Sequence, residues 1–173
     1  MIIYLNGTSS SGKTTLATWI QANSSHIFFY YSIDTLLECM PARELEPIRK
    51  SAKNPRIDWD NLWNSDFRSA RSMVDSGLDL ILDCPLYDIR ADLYKKHIEG
   101  NSTISVFLDC PLEELKRRES ERGDRWVGLA EYQVSRVRSA IHHDLTFDSS
   151  VESVEAMGTK ILEAKRPPPK ERP

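Results

Sequence analysis

The sequence predicts an α/β fold in which a mostly parallel, five-stranded sheet lies between two layers of helices. Short apolar segments alternate along the chain with segments of helical periodicity, an order typical of parallel sheets that are covered on both faces. The first apolar segment, Ile2 to Leu5, carries apolar side chains at successive positions, as expected of a strand buried on both sides. The length of 173 residues suits a single domain, which we place at residues 1–165.

Four more segments are predicted to be strands because they are short, apolar and rich in β-branched or aromatic residues. They span residues 27–33, 78–82, 104–108 and 144–147. An aspartate follows each of the first three of these strands: Asp34, Asp83 and Asp109. Because ligands of parallel sheets bind at the carboxyl ends of the strands, we expect Asp34 and Asp83 to lie near a bound ligand. Asp109 has the same position but is expected to cap the helix that starts at Pro111.

The helices are predicted from the spacing of apolar residues and from capping residues. They span residues 13–22, 35–39, 59–76, 86–97, 111–122, 129–140 and 151–164. Ser149, followed three residues later by Glu152, has the pattern of a capping box and is predicted to open the last helix. Three prolines between residues 41 and 55 predict an irregular segment. The proline-rich, charged residues 166–173 predict a disordered tail.

The charge and the composition argue against two classes of partner. A net charge of −3 leaves no broad basic surface for a nucleic-acid backbone. The longest apolar stretches are far shorter than the roughly 18 residues of a membrane-spanning helix, and the first residues lack the pattern of a secretory signal. We therefore expect a cytoplasmic protein with neither a nucleic-acid partner nor a membrane partner, whose three cysteines are reduced thiols.

A phosphate-binding loop is predicted directly after the first strand. Residues 7–14 match G-x-x-x-x-G-K-[ST], between a predicted strand and a predicted helix. The glycines permit unusual backbone conformations, and the backbone N–H groups of such a loop converge on phosphate oxygens. Lys13 is expected to reach the β- and γ-phosphates, and Thr14 to place its hydroxyl on Mg²⁺. The predicted contacts are Gly7, Thr8, Ser9, Ser10, Ser11, Gly12, Lys13, Thr14 and Thr15.

This loop predicts a three-layer P-loop NTPase fold that binds ATP and Mg²⁺, and the remaining motifs favour a small kinase. The chain has neither the N-K-x-D or T-K-x-D motif with which GTP switch proteins read guanine nor the LSGGQ motif of transporter ATPases. It is also short for a motor or an oligomeric ATPase. A kinase additionally needs a group that orients or deprotonates the acceptor hydroxyl and cations that offset the charge of the transferring phosphoryl group.

Two aspartates at strand ends are candidates for this chemistry. Asp34 is a candidate catalytic base, and the alternative that it only caps the helix beginning at Thr35 is equally supported by its position. Asp83 is a candidate metal residue with Thr14, and the alternative is a turn residue before Pro85.

The cations are predicted to come from an arginine-containing lid. Arg122 and Arg125 flank Gly123 and Asp124 and are assigned to this small lid as catalytic residues. The neighbouring Arg117 and Arg118 are instead expected to pair with Glu113 and Glu114 on a solvated helix face.

The aromatic residues of the long predicted helix are assigned to the core. Trp59, Trp63 and Phe67 follow a helical spacing, and we expect them to be core residues rather than the wall of an acceptor pocket.

Four segments resemble the chloramphenicol phosphotransferase-like P-loop kinase family. The first is IIYLNGTSSSGKTTL, similar to the strand and N-G-x-S-S-x-G-K-[ST] loop of that family, and the second is YYSIDTLLECMP, similar to its strand-two aspartate and short helix. The third is ERGDRWVGLA, similar to its lid, and the fourth is YQVSRVRSAIHHDLTFDSS, similar to its closing segment. Arg138 and His143 stand where the family pattern has His and Tyr. The resemblance extends from Ile2 to about Ala164.

The resemblance implies a nucleoside-monophosphate-kinase-like sheet and an ATP-dependent enzyme that phosphorylates a hydroxyl of chloramphenicol. It implies that Asp34 is the base and that Arg122 and Arg125 contact phosphates. Residues 41–63 have no close match in the family pattern, so the acceptor is expected only to be a small molecule with a hydroxyl group. Two alternatives stay open, a nucleoside, nucleotide or sugar kinase on the same fold and a nucleotide-binding regulatory protein without transfer chemistry.

Overall fold

The computed structural model of the protein describes residues 1–51, 54–100, 102–122, 128–137 and 141–164. Five strands form one sheet in the order β2-β3-β1-β4-β5, and every neighbouring pair is parallel. The parallel five-stranded sheet predicted from the sequence is thereby confirmed. The strands are β1 (Ile2–Gly7), β2 (Phe28–Ser32), β3 (Asp79–Asp83), β4 (Thr103–Asp109) and β5 (Leu145–Asp148).

Helices cover both faces of the sheet. The side chains of β1 alternate between two apolar cores, so that Ile3 and Leu5 pack in the core that contains α1 and α8, and Ile2 and Tyr4 pack in the core that contains α4 and α5. These two cores make the three layers of the predicted fold. The helices are α1 (Lys13–Asn23), α2 (Ile33–Leu37), α3 (Ala42–Ser51), α4 (Trp59–Asp75), α5 (Ile89–His97), α6 (Leu112–Arg122), α7 (Leu129–Val137) and α8 (Val154–Glu163).

The segment predicted to be irregular contains helix α3, so that prediction was wrong. Pro47 lies inside the helix, where it removes one backbone hydrogen bond. Most of the other residues are good helix formers, and Leu45 and Ile48 lie three residues apart on the side that faces a large cleft. Ile48 on this face is buried, and the burial of its apolar surface offsets part of the local cost of the proline.

Two helix starts differ from the prediction. The last helix is capped by Ser153, whose hydroxyl accepts a hydrogen bond from the N–H of Ala156 at 3.2 Å, and Glu152 instead accepts from the N–H of Asp148 at 3.1 Å. The predicted capping box at Ser149 and Glu152 was therefore wrong. Helix α5 begins three residues later than predicted because Asp88, at its N-cap, has a φ of 51° and a ψ of −139°, which is not a helical conformation.

Among the described residues, no helix combines the length and the hydropathy needed to cross a membrane. The predicted disordered tail, residues 166–173, lies outside the described residues.

Candidate active site

A cleft of about 1680 Å³ lies at the carboxyl ends of the strands. The phosphate-binding loop lines one part of it, and residues of α2, α3 and α4 line another. Asp34, Asp83 and Arg122 all line this cleft together with loop residues 9–15, whereas Gly7 and Thr8 do not. The fold thus brings most of the predicted site residues to one place. Arg125 lies outside the described residues.

The first and last glycines of the loop hold conformations that other residues rarely adopt. Gly7 has a φ of 150°, and a Cβ at this position would lie 2.7 Å from Oγ of Ser11 and 2.8 Å from the carbonyl oxygen of Leu108. Gly12 has a φ of 95° and directly precedes α1. Both positions therefore require glycine, as the loop motif predicts.

Polar groups converge inside the loop. The Nζ of Lys13 donates to the carbonyl oxygens of Gly7 at 2.9 Å and Thr8 at 2.7 Å, and the side chain is 7% exposed. The hydroxyls of Ser9, Ser10 and Ser11 are buried and have no hydrogen-bond partner among the described residues. Buried hydroxyls without partners are costly, so this loop is suited to a ligand that supplies many acceptors. A phosphate chain is such a ligand.

Tyr30 joins the two candidate metal residues, and the sequence analysis missed it. Its hydroxyl donates to Oδ2 of Asp83 at 2.9 Å and lies 3.4 Å from Oγ1 of Thr14. Oδ1 of Asp83 lies 3.8 Å from Nζ of Lys13. Burial, followed by the charge of Asp83, raises the pKa of Tyr30 to about 12, so the phenol keeps its proton and remains a donor. A hydroxyl and a carboxylate offer the oxygen ligands that Mg²⁺ prefers.

Asp34 is the second residue of α2 and faces the cleft. The helix begins one residue earlier, at Ile33, and the N-cap position is occupied by Ser32. The alternative that Asp34 is the cap of this helix is therefore wrong. Its carboxylate lies in the first turn, where the helix dipole favours a negative charge.

A second carboxylate, Asp66 of α4, lies close enough to Asp34 for their charges to interact. Asp66 is fully buried, and neither of its side-chain oxygens has a hydrogen-bond partner of ordinary length and angle among the described residues, although the Tyr31 hydroxyl lies near enough to act on its pKa. Burial is the main cause that raises the pKa of Asp66 to about 7, and the charge of Asp34 adds to the effect, whereas the Tyr31 hydroxyl opposes it. Nothing in the local sequence distinguishes Asp66 from the exposed acids of the same helix.

Arg118 lies against the phosphate-binding loop, contrary to the expectation of a purely solvated arginine. Its guanidinium donates to Oε1 of Glu114 at 2.8 Å, as expected, and to the carbonyl oxygen of Ser149 at 2.8 Å. A Cβ built on Gly12 would lie 4.0 Å from one Nη atom. Arg118 is thus a cleft residue held in place by two elements.

Arg117, the residue before Arg118, lies on the exposed face as predicted but pairs with a different glutamate. Arg117 is exposed and pairs with Glu114 and Glu121, so its position on a solvated face is confirmed. The predicted pairing of Arg117 with Glu113 is wrong, because Glu114 lies three residues before it and is the closer carboxylate on that face.

Two buried side chains position α7 beside the loop. Oε1 of Gln133 accepts a hydrogen bond from the N–H of Ser9 at 2.7 Å. Glu119 accepts from the N–H groups of Gly128 at 2.7 Å and Ala130 at 3.1 Å, at the start of α7. Gln133 lies 124 positions from Ser9, whereas Glu119 lies 9 and 11 positions from Gly128 and Ala130. The local sequence pattern carries no signal for these contacts.

A third buried polar residue, Asn6, connects the loop to the segment after β3. Its Oδ1 accepts hydrogen bonds from the N–H groups of Gly7 at 2.9 Å and Leu86 at 2.8 Å, and its Nδ2 donates to Nε2 of His143 at 3.0 Å. Burial lowers the pKa of His143 to about 4, so the imidazole is neutral and can accept this bond.

The opposite part of the cleft has an aromatic wall. Trp59 and Trp63 of α4 line the cleft with their ring centroids 6.4 Å apart. The core prediction was wrong for Trp59, whereas Trp63 lies at the border and also packs against the core, as predicted. Phe67 is 1% exposed and belongs to the core, as predicted. The helical spacing is the same for all three residues, but only Phe67 is enclosed within the core cluster that also contains Tyr31 and Leu82.

Residues 1–166 match the model of a protein family described as chloramphenicol phosphotransferase-like protein. The chain belongs to this family. Membership confirms the resemblance stated from the four sequence segments and the expectation of a phosphotransferase on a P-loop kinase fold.

Individual relatives share only a modest part of the sequence. A protein of Mycobacterium tuberculosis named "Putative O-phosphotransferase" is 25% identical over 183 residues, which cover 94% of this chain and 81% of the relative.

Solved structures confirm the fold. A sugar kinase from Janibacter sp. superposes with a TM-score of 0.70 at 21% identity, covering 93% of this chain and 91% of that one. The APS kinase CysC of Mycobacterium tuberculosis, in complex with AMPPNP and APS, superposes with a TM-score of 0.62 at 17% identity, covering 94% of this chain and 95% of that one. The three-layer kinase fold expected from the sequence is thereby confirmed.

Proposed function

We propose that this protein transfers the γ-phosphoryl group of ATP to a hydroxyl of a small molecule. The observation that carries the proposal is that Asp34 lines the same cleft as the phosphate-binding loop. A cleft that holds a phosphate donor and an acidic side chain together is suited to phosphoryl transfer, whereas a protein that only binds nucleotides needs no acceptor base.

The phosphates of ATP would lie in the loop. Its backbone N–H groups and the three unpartnered serine hydroxyls would bind phosphate oxygens, with Lys13 supplying the positive charge. The adenine would lie beyond the loop against Arg118, whose planar guanidinium suits stacking on a base. Other residues on this wall of the cleft are Ser149, Val154 and Met157.

Thr14 and Asp83 would hold Mg²⁺, since both are oxygen donors gathered at the Tyr30 hydroxyl. When bound, the ion supplies charge neutralisation at the β- and γ-phosphates. Lys13 lies beside Asp83 and adds a second positive charge at the same phosphates. Arg122 lines the cleft and, with Arg125, would offset the charge that builds on the transferring group.

Asp34 would accept the proton of the acceptor hydroxyl as the oxygen attacks the γ-phosphorus. The acceptor would lie on the wall formed by α2, α3 and α4, which combines apolar and aromatic side chains: Leu37, Leu45, Ile48, Trp59 and Trp63. Chloramphenicol or a similar antibiotic is one acceptor that such a wall would accommodate, and a sugar is the alternative that the kinase neighbours favour. The cytoplasm is the compartment that supplies ATP to such an enzyme.

The experiment is to measure phosphoryl transfer from radiolabelled ATP across phenicol antibiotics, sugars, nucleosides, nucleotides, phosphorylated sugars and hydroxy acids. The Asp34→Asn variant is then compared on whichever acceptor the wild type uses. We expect the rate of transfer to fall by about 10²- to 10⁴-fold in the variant, while the dissociation constant for AMPPNP changes little.

Asp60→Asn, which alters an exposed carboxylate of the same cleft, is the matched control and should retain activity. An Asp34→Asn variant that keeps most of its turnover would show that the base is another group, and tight ATP binding without transfer to any acceptor would favour a regulatory protein.

A further inference from the structure

Arg90, the second residue of α5, is a buried arginine at the acceptor side of the cleft. It is 5% exposed, and its side chain lines the cleft. Its guanidinium carbon lies 3.2 Å from the ring centroid of Tyr87 and 4.3 Å from that of Trp63. The two rings hold the guanidinium in a defined place within the wall that faces the acceptor.

The hydrogen-bonding capacity of Arg90 is largely unused. Its Nε donates to the carbonyl oxygen of Tyr87 at 3.3 Å. Within the described parts of the chain, no carboxylate forms an ion pair with it, and its two terminal nitrogens have no hydrogen-bond acceptor. A guanidinium has five N–H donors in a planar fork, so most of the donors on this buried cation are available to a ligand in the cleft.

A buried positive charge is costly unless an anion accompanies it. Contacts with aromatic rings offset only part of that cost. The charge of Arg90 also acts on a neighbouring group. Burial raises the pKa of the Cys84 thiol, and the charge of Arg90 opposes part of that rise. An oxyanion bound to the two terminal nitrogens would balance the charge of Arg90. Carboxylate and phosphate groups suit this role because they bind a guanidinium in a bidentate geometry.

We propose that Arg90 binds an oxyanion group of the acceptor, a carboxylate or a phosphate, so that the acceptor is an anionic alcohol rather than a neutral one. This inference rests on the proposed kinase function, and it replaces the neutral acceptors considered there by an alcohol that carries a carboxylate or a phosphate. The hydroxyl end of the acceptor would lie at Asp34, and the oxyanion end would lie at Arg90 beside Trp63.

The other acidic groups of this region do not oppose the assignment. Of the other carboxylates that line the cleft, Glu38, Asp60 and Asp88 are exposed and Asp34 and Glu152 are half-buried. Asp83 is buried, but the Nζ of Lys13 lies 3.8 Å from it and offsets its charge. Water and salt screen exposed charges strongly, whereas an interaction with a buried charge is screened much less. The buried guanidinium therefore dominates the local recognition of an anion in contact with it.

The test compares matched acceptors that differ only in charge. One pair is a hydroxy acid and its methyl ester, and the other is a phosphorylated alcohol and the same alcohol without its phosphate. We expect the wild type to prefer the charged member of one pair, and the pair that shows the preference identifies the oxyanion. Arg90→Gln should lower kcat/KM for that charged member by about 10- to 100-fold, mainly through KM, and leave the neutral member nearly unchanged.

Two further variants keep the test decisive. Arg49→Gln removes an exposed arginine of the same cleft and should leave both members of each pair unaffected. Arg90→Lys retains the charge but lacks the fork, so it should fold if Arg90→Gln does not, and it should still lose part of the preference for the charged member. An equal effect of Arg90→Gln or Arg90→Lys on charged and neutral members would overturn the inference.

A binding measurement separates this inference from the proposed kinase function. Calorimetry with hydroxy carboxylates is performed on protein saturated with AMPPNP, so that the phosphate-binding loop is occupied. Arg90-dependent carboxylate binding without any transfer would support the oxyanion site and contradict the kinase function. Transfer to neutral acceptors that is unaffected by Arg90→Gln, with no carboxylate binding in calorimetry, would support the kinase function and contradict the oxyanion site.

Discussion

Tyr30 donates a hydrogen bond to Asp83 at 2.9 Å and thereby holds a carboxylate from the end of β3 beside the phosphate-binding loop. Tyr30 and Asp83 lie on adjacent parallel strands, in which Tyr30 pairs with Ile81 and Ser32 pairs with Asp83. Tyr30 and Asp83 are therefore diagonal neighbours on the two strands, and the tyrosine hydroxyl extends toward the carboxyl end of β3 to meet the carboxylate. This contact fixes the orientation of Asp83, which is 8% exposed, before any ligand binds.

The first prediction concerns the metal requirement. In Asp83→Asn the amide oxygen still accepts from Tyr30, so the fold should be retained, but the negative charge that attracts Mg²⁺ is lost. We expect the Mg²⁺ concentration for half-maximal transfer to rise by about 10-fold or more, measured by titration at saturating ATP. Asp88→Asn, which alters an exposed carboxylate of the same cleft, should leave the requirement unchanged. A normal Mg²⁺ requirement in Asp83→Asn would remove Asp83 from the proposed metal site.

The second prediction concerns the pH dependence of stability. The pKa of Asp66 is raised to about 7 in the folded protein, so the folded state retains a proton that the unfolded state releases near pH 4. Stability from this group is therefore complete below about pH 4 and is lost as the pH rises to about 7. The Asp66→Asn variant has no ionisable group at this position. Its free energy of unfolding, relative to that of the wild type, should therefore increase from pH 4 to pH 7 by at most about 4 kcal/mol.

The measurement is urea denaturation of wild type and Asp66→Asn from pH 4 to pH 8. The difference between the two proteins is the informative quantity, because it cancels other titrating groups such as His143, whose lowered pKa acts in the opposite direction. Asp75→Asn, on an exposed carboxylate at the end of the same helix, is the control and should show no comparable trend. A difference that stays flat with pH would mean that Asp66 is not a buried, unpaired acid.

The third prediction concerns the packing of α8 on α1. A Cβ on Gly158 would lie 2.1 Å from Cε3 of Trp19, so Gly158→Ala overpacks this contact. We expect a loss of about 1–3 kcal/mol in the free energy of unfolding, although alanine is the better helix former by about 1 kcal/mol. In a Trp19→Ala background the same substitution should become neutral or stabilising. An equal cost in both backgrounds would place the cause elsewhere than in the ring contact.

The features that could be predicted from the sequence are local ones. The phosphate-binding loop is continuous in the chain, and its conformation depends on glycines at residues 7 and 12 that are readable as a motif. The strand-end positions of Asp34 and Asp83 follow from the alternation of strands and helices. Asp34 and Asp83 therefore lie in the predicted cleft, although their chemical roles stay predictions.

The features that could not be predicted depend on contacts between distant segments. Arg118 has the same sequence surroundings as Arg117, and only the path of β5 and the segment after it brings Ser149 to one of them and not the other. Helix α3 forms despite Pro47, and the burial of Ile48, which is a tertiary effect, offsets part of the cost of the proline. Gln133 reaches Ser9 across 124 positions of the chain.

The sequence by itself determined the family, the parallel sheet and the phosphate-binding loop, because periodicity and backbone conformation are set by residues a few positions apart. Tertiary structure alone decided which side chains line the cleft. Trp63 and Phe67 share one helix, yet Phe67 is enclosed in the core, whereas Trp63 packs against that core and also lines the cleft. Burial also decided the properties of Asp66 and Arg90, because the cost of a charge depends on the solvent and the partners that the fold leaves to it.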